Sequence, residues 1–325
     1  MGFQHRTLHA ALVSSSEESK LRHAARITSD QIGAIATWLD YKKVLAETTK
    51  VVGQMSKPKR LSSEEVEQVR LWLTNAWSTE YLLSHIAKDL GADAVEFSVH
   101  WAFPQAYYAV FAFRMAWGTA AGYHDRTHQT VTRHFGQDAL EGRVPESLAP
   151  CLTGLDADCS YHYIENVEFT TDRRLNRSKV DSVVGYIGSA LRSTRRESLE
   201  KWKADNIGKL KTKKGKKRKS LSRAHKLEGA SKIGPTSIMS YLYRKRIKAN
   251  YDDVDVFHND IINAPLLIRD LQGIVRSFSL AHEAMIARKV GMSTFREIVN
   301  QAPRALSEFK NRQLADLELI LEVQI

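Results

Sequence analysis

Apolar positions along the chain recur at helical spacing far more often than they alternate. In "SSEEVEQVRLWLTNAWSTEYLLSHIAKDLG", Val69, Leu73, Trp77 and Leu82 fall on or near one stripe of a 3.6-residue period. Ser62 or Ser63 is placed to cap this helix, Glu64 and Glu65 suit its positive end, and Gly91 is placed to stop it. Ahead of it, Thr28 to Lys50 reads helical, followed by the polar run "GQMSKPKRLSS". Behind it, "SVHWAFPQAYYAVFAFRMAWGTAAG" is apolar nearly all round, which predicts a helix at the centre of the fold. Its Ala102 to Gly122 window has about the length of a membrane span. It contains Pro104, Gln105 and Arg114 and has no second span to partner it, so a buried core helix is expected. On that helix Tyr107 and Tyr108 read as packing residues. "HDRTHQTVTRHFG" predicts a short polar turn and helix.

From Asp138 to Thr171 the pattern weakens, with a short strand expected around Tyr163 to Phe169. Ser178 to Asn206 returns to helix. "KLKTKKGKKRKSLSR" has no apolar stripe and a heavy charge, which predicts a loop. "GPTSIMSYLYRKRIKA" restarts a helix near Pro235, and "APLLIRDLQGIVRSFSLAHEAMIARKVG" predicts a long amphipathic helix closed by Gly291. One or two helices complete the chain. The expected fold class is mainly α, which the scarcity of glycine (17) and proline (7) in 325 residues also favours.

Charge changes the picture. The net charge is +11, and residues 201–233 hold 13 Lys/Arg against 2 Asp/Glu. The remaining chain is neutral, with 35 of each sign. Such asymmetry points to a polyanionic partner, a class that includes RNA and DNA. Two cysteines, Cys151 and Cys159, make no disulfide framework. The sequence from Met1 lacks a sustained apolar core, so no secretion signal and no membrane partner are expected, and the cytoplasm is the expected compartment. Cys159-x-x-His162 with Cys151 falls short of a zinc knuckle, and there is no P-loop, Rossmann fingerprint or GxSxG. No metal and no cofactor are expected.

Two separated stretches resemble HEPN-domain proteins. The first is "AYYAVFAFRMAWGTAAGYHDRTHQTVTRHFG", with its small-Tyr-Tyr-x-x-Phe helix, a loop holding His128 and a helix ending in His-Phe-Gly. The second is the run Arg246, Ala249, Asn250, Tyr251, Asp252, followed by a long helix. The resemblance covers about 60–138 and 234–291. It implies a helical bundle, usually dimeric, of the kind found in prokaryotic toxin, abortive-infection and CRISPR-associated proteins. It also implies a division into an N-terminal helical extension (1–59), two bundle halves (60–138 and 234–291), a basic insertion (139–233) and a C-terminal helical tail (292–325). Catalytic members of the family are metal-independent endoribonucleases using an Arg followed, after four to six residues, by a His. Here Tyr251 stands five residues after Arg246, where the motif has His. Tyrosine ionises near pH 10 and is a weak general base at neutral pH.

Arg246 and Tyr251 are therefore the candidate catalytic pair, with Arg246 holding phosphate and Tyr251 or a nearby His moving protons. Arg276 and His282 have a suitable sequence spacing. Six helical residues rotate them about 240° apart, so they do not share a face. The candidate nucleic-acid ligands are Lys213, Lys214, Lys216, Lys217, Arg218 and Lys219 of "KKGKKRK", together with Arg192, Arg195 and Arg196 at helical spacing, Arg244 and Arg246. Trp202 is placed either to stack on a base or to anchor the fold. The expected function is nucleic-acid binding without catalysis, within a defence or toxin–antitoxin module and with a homodimer or partner protein. The alternatives are a metal-independent endoribonuclease and a dimeric scaffold.

Overall fold

The structure is a computed structural model that describes residues 2–322 except 57–60, 90, 124, 126, 157, 166, 168–173, 210–219 and 250–262. For 2–19, 87, 92–94, 97 and 312 the backbone alone is described. The fold is mainly α, as the periodicity predicts. Thr28 to Lys50 is helical, as expected, with one break. α1 (Gly2–Trp38) ends and α2 (Tyr41–Gln54) begins at Asp40, whose carboxylate accepts the Lys43 amide at 3.1 Å. The Trp38 indole, at the end of α1, donates to the Ser147 carbonyl at 3.1 Å.

α3 (Ser63–Asp89) starts at a reciprocal cap: Ser62 Oγ accepts the Glu65 amide and Glu65 accepts the Ser62 amide. Gly91 caps the start of α4 (Ala92–Ala121) instead of closing α3. α4 is central, packing against α3, α5 (His128–Leu140), α8 (Ile238–Ile247) and α9 (Ala264–Val290). It is apolar on most sides because it has neighbours on most sides. Among the described residues no helix is long and apolar enough to cross a membrane.

The expected strand at Tyr163 to Phe169 is displaced. The strands are β1 (Cys151–Gly154) and β2 (Cys159–His162), paired antiparallel with Cys151 opposite His162. Tyr163 takes φ +63°, a left-handed turn that ends β2. β3 (Thr236–Ser237) pairs antiparallel with the other edge of β1, giving the order β2-β1-β3. The segment between Asp138 and Pro235 also supplies α6 (Val180–Ile207) and α7 (Arg223–Ile233). α6 packs on α1, α7 and α8, and its Ile187, Ala190 and Leu191 join the same core as α4 and α9. α10 (Met292–Asn300) and α11 (Arg304–Glu322) close the bundle beside α3 and α9.

α5 meets β3 through a close approach at Gly136. A β-carbon there would stand 2.5 Å from the Pro235 carbonyl oxygen, a backbone atom with little room to move. Gly136→Ala is expected to cost about 1–3 kcal/mol by overpacking. Urea unfolding measures it, and a loss well under that range would show that α5 and the Pro235 turn separate easily.

Candidate functional site

The basic turn Arg244–Lys248 sorts its cations by helix geometry. Successive residues on α8 are about 100° apart, so four neighbouring cations cannot share one environment. Lys245 points inward, buried, with its ammonium 2.7 Å from Thr28 Oγ1. Arg244 and Lys248 face Glu197 of α6, at 3.6 and 4.0 Å. Arg246 turns toward α4, where its guanidinium donates to Tyr108 Oη at 2.5 Å and lies 5.0 Å from that ring's centre. No carboxylate pairs with Arg246 among the described residues, and its Nε is buried without a described partner.

His128 joins the same group from the first residue of α5. Thr127 caps that helix in a reciprocal pair with Thr130, which fixes where His128 emerges. The His128 ring stacks on Tyr243 at 5.8 Å and contacts Phe111 at 4.3 Å and Tyr108 at 6.0 Å. Tyr107 Oη lies 2.9 Å from His128 Nδ1. A phenol both donates and accepts, so this contact supports either imidazole tautomer. Partial burial, and then the nearby Arg246 charge, hold the His128 pKa below its ordinary 6.5, so the ring is neutral at pH 7. Burial pushes the Tyr107 hydroxyl well above 10, which keeps it protonated. The result is a neutral imidazole and a permanent cation on one aromatic rim, with Tyr108 37% exposed. Chemically it combines proton transfer with anion stabilisation.

His128 was the residue that local spacing could not deliver: it stands 118 positions before Arg246. Tyr107 is a packing residue, as expected, but Tyr108 is at the surface. Arg276 and His282 do not form a site. Arg276 lies over the Tyr41 ring at 4.3 Å. His282 is fully buried, with Nδ1 2.8 Å from the Phe278 carbonyl, and burial and Arg114 pull its pKa down to about 3.

The expected basic face of α6 is corrected in part. Arg195 is 1% exposed and donates to the backbone carbonyls of Gly154, Ala230 and Gly234. It cannot reach a partner outside the fold. Arg192 and Arg196 both bind Asp156, at 2.9 and 3.0 Å, which offsets part of their charge. Tyr251, Lys213, Lys214, Lys216, Lys217, Arg218 and Lys219 lie outside the described residues, as do Asn250, Asp252 and His258. Cys159 and His162 stand three apart on β2, hence on opposite faces, and His162 Nε2 lies 2.9 Å from Thr153 Oγ1. Among the described residues no group of three or more His, Cys, Asp or Glu is gathered as metal ligands.

No protein-family model, no curated protein and no solved structure matches the chain.

Proposed function

We propose that the protein binds nucleic acid at the Arg246–His128 site, with Arg246 as the cation that meets phosphate. One observation carries this reading. Arg244 and Lys248 face Glu197 and Lys245 is buried over the Tyr241 ring, whereas Arg246 is part-exposed over Tyr108 with no acid beside it among the described residues. A guanidinium in that position offers forked donors to a phosphate, while Tyr108 offers a ring to a base. The charge excess of residues 201–233 supports a polyanionic ligand.

A second reading is favoured by His128. Its place beside Arg246 supplies the proton carrier that the Arg246–Tyr251 spacing lacks. With RNA, His128 Nε2 takes the proton of a 2′-hydroxyl, whose oxygen bonds to the adjacent phosphorus. Arg246 neutralises the charge gathering on the phosphate oxygens. The 5′-oxygen then leaves and receives a proton, yielding a 2′,3′-cyclic phosphate and a free 5′-hydroxyl.

Labelled RNA and DNA incubated with the protein in EDTA separate the readings. Arg246→Ala is expected to weaken binding of every sequence about tenfold and to lower the salt slope by about one. His128→Ala is expected to leave affinity within about threefold, because a neutral ring contributes little to phosphate attraction. Cleavage of RNA but not DNA, lost in both variants, establishes the second reading. Its rate should rise with pH and level off below pH 6.5, because the base must be deprotonated and its pKa is depressed. Neither binding nor cleavage would sink both readings and favour a scaffold.

A further inference from the structure

A second polar surface opens next to the Arg246 site. α5, α6, α7 and α8 enclose a cleft of about 540 Å³, within the roughly 300–1,000 Å³ range of ligand-sized clefts. Tyr243 belongs to both places: it stacks on His128 and also lines the cleft. Thr127 and Gln129, which flank His128, line it as well.

The cleft's charge is predominantly positive. Arg133, Lys201, Lys232 and Arg244 line it, against Glu197 and Asp205. Glu197 already faces Arg244 and Lys248. The N-terminal end of α5 adds its partial positive charge through the Thr127–Thr130 turn.

Two of its walls are seated against glycine. The Trp202 ring lies against Gly229, where an added β-carbon would come within 2.5 Å of the ring. The Arg133 stem passes Gly234, at φ +76°, where the same distance would be 2.7 Å. Both glycines leave room for these side chains to pack closely against the backbone. A packed ring, an exposed guanidinium and two exposed lysines are the parts a nucleic-acid strand needs: stacking faces and phosphate partners.

We infer that a single strand of nucleic acid runs from the Arg246 site along this cleft. Its phosphates meet Arg133, Lys201 and Lys232, and its bases lie against Tyr243 and Trp202. The inference rests on the reading of Arg246 as a nucleic-acid site and adds the direction in which the strand leaves it. It also specifies the ligand's form, because ring stacking requires bases that are not already stacked in a duplex.

The test uses the full chain, a strand of about 20 nucleotides, longer than the ~4–16-nucleotide sites of single-strand binders, and one of about three. Binding is read by fluorescence anisotropy over a salt series. Lys201→Ser/Lys232→Ser changes two exposed side chains and removes one exposed ion pair, Lys232 with Glu228 at 2.6 Å, of a kind that contributes little to stability, so the thermal melt should stay close to the wild type. This variant is expected to bind the long strand about tenfold more weakly. Its salt slope should fall by about 1.4, which is ~0.7 for each of two single-strand phosphates. The short strand should bind as it does to wild type, and Arg246→Ala should weaken both strands. If the cleft variant keeps wild-type affinity and slope for the long strand while Arg246→Ala weakens both, the cleft inference fails and the site reading stands. If Arg246→Ala changes neither strand, the site reading fails and takes the cleft with it. Equal affinity for a duplex, with equal sensitivity to the cleft variant, would also overturn the inference.

Discussion

Lys310→Ala is expected to cost about 3–5 kcal/mol of stability, the range for breaking a buried ion pair by removing one partner. Lys310 reaches from α11 into the bundle at 2% side-chain exposure. Its ammonium lies 2.6 Å from Glu80 of α3, 2.9 Å from Glu283 of α9, and 2.9 and 3.0 Å from Ser279 and Gln313. The Trp77 indole completes the group by donating to Glu283 at 2.5 Å. Two carboxylates share one cation, so alanine would leave both in the core without a counterion. Urea unfolding at pH 7 measures the loss, and a change under about 1 kcal/mol would mean that water reaches the group. Lys310→Met in a Glu80→Gln background should be less damaging than Lys310→Met alone, because it removes charge from both sides. Burial pulls the Lys310 pKa down, but Glu283 and Glu80 outweigh it and hold it above 10.5. The lysine's contribution is therefore fully present below pH 10.5 and lost as pH rises through the higher folded value. Glu80 is raised by burial, so its contribution is greatest below pH 4.5 and declines as pH rises through its raised folded value.

Arg195→Ala is expected to cost about 3 kcal/mol or more, since hydrogen bonds from a charged donor contribute about 1.5–3 kcal/mol each and the abandoned carbonyls stay buried. Arg195 ties the end of β1 to the last turn of α7 and to the Gly234 turn before β3, and its Nη1 also lies 3.4 Å from Thr236 Oγ1. Its counter-charge is the row of carbonyl dipoles at the C-terminal end of α7, in place of a carboxylate. Arg195→Lys should recover less than half of the loss, because an ammonium on a single stem does not reproduce the planar fork. A lysine variant as stable as wild type in urea would show that the fork is not used.

Much of this fold could be read from local pattern. The stripe of α3, the all-round apolar character of α4 and the Gly291 end of α9 each rest on neighbouring residues, and those elements lie where expected. The sheet was not legible. Its strands are two to four residues long, β1 is buried at Cys151 and Leu152 in succession, and the partner of Leu152 on β3 is Thr236. No alternation marks such strands, and no local signal names a partner so distant. Arg195 did have a signal. Ile187, Leu191 and Arg195 stand four apart, so the arginine continues the buried stripe of α6, whereas Arg192 and Arg196 share the outer face. The candidate site was half legible. The Arg246 turn showed itself by composition, but His128 reaches it only through the packing of α5, α4 and α8.

The pairing of β1 with β3 has a kinetic consequence. Leu152 and Thr236 meet across 84 positions of chain, and β3 leads directly into α8. Helices such as α3 and α4 require only local contacts, whereas docking α8 requires that long excursion to be closed first. Arg246 and His128 should therefore come together among the last events of refolding, after most helical signal has been gained. Stopped-flow circular dichroism, run beside the fluorescence of a reporter on α8, would register the interval between the two. The chain would spend that interval helical but unable to grip a ligand, so a partially folded molecule carries its charge without its site.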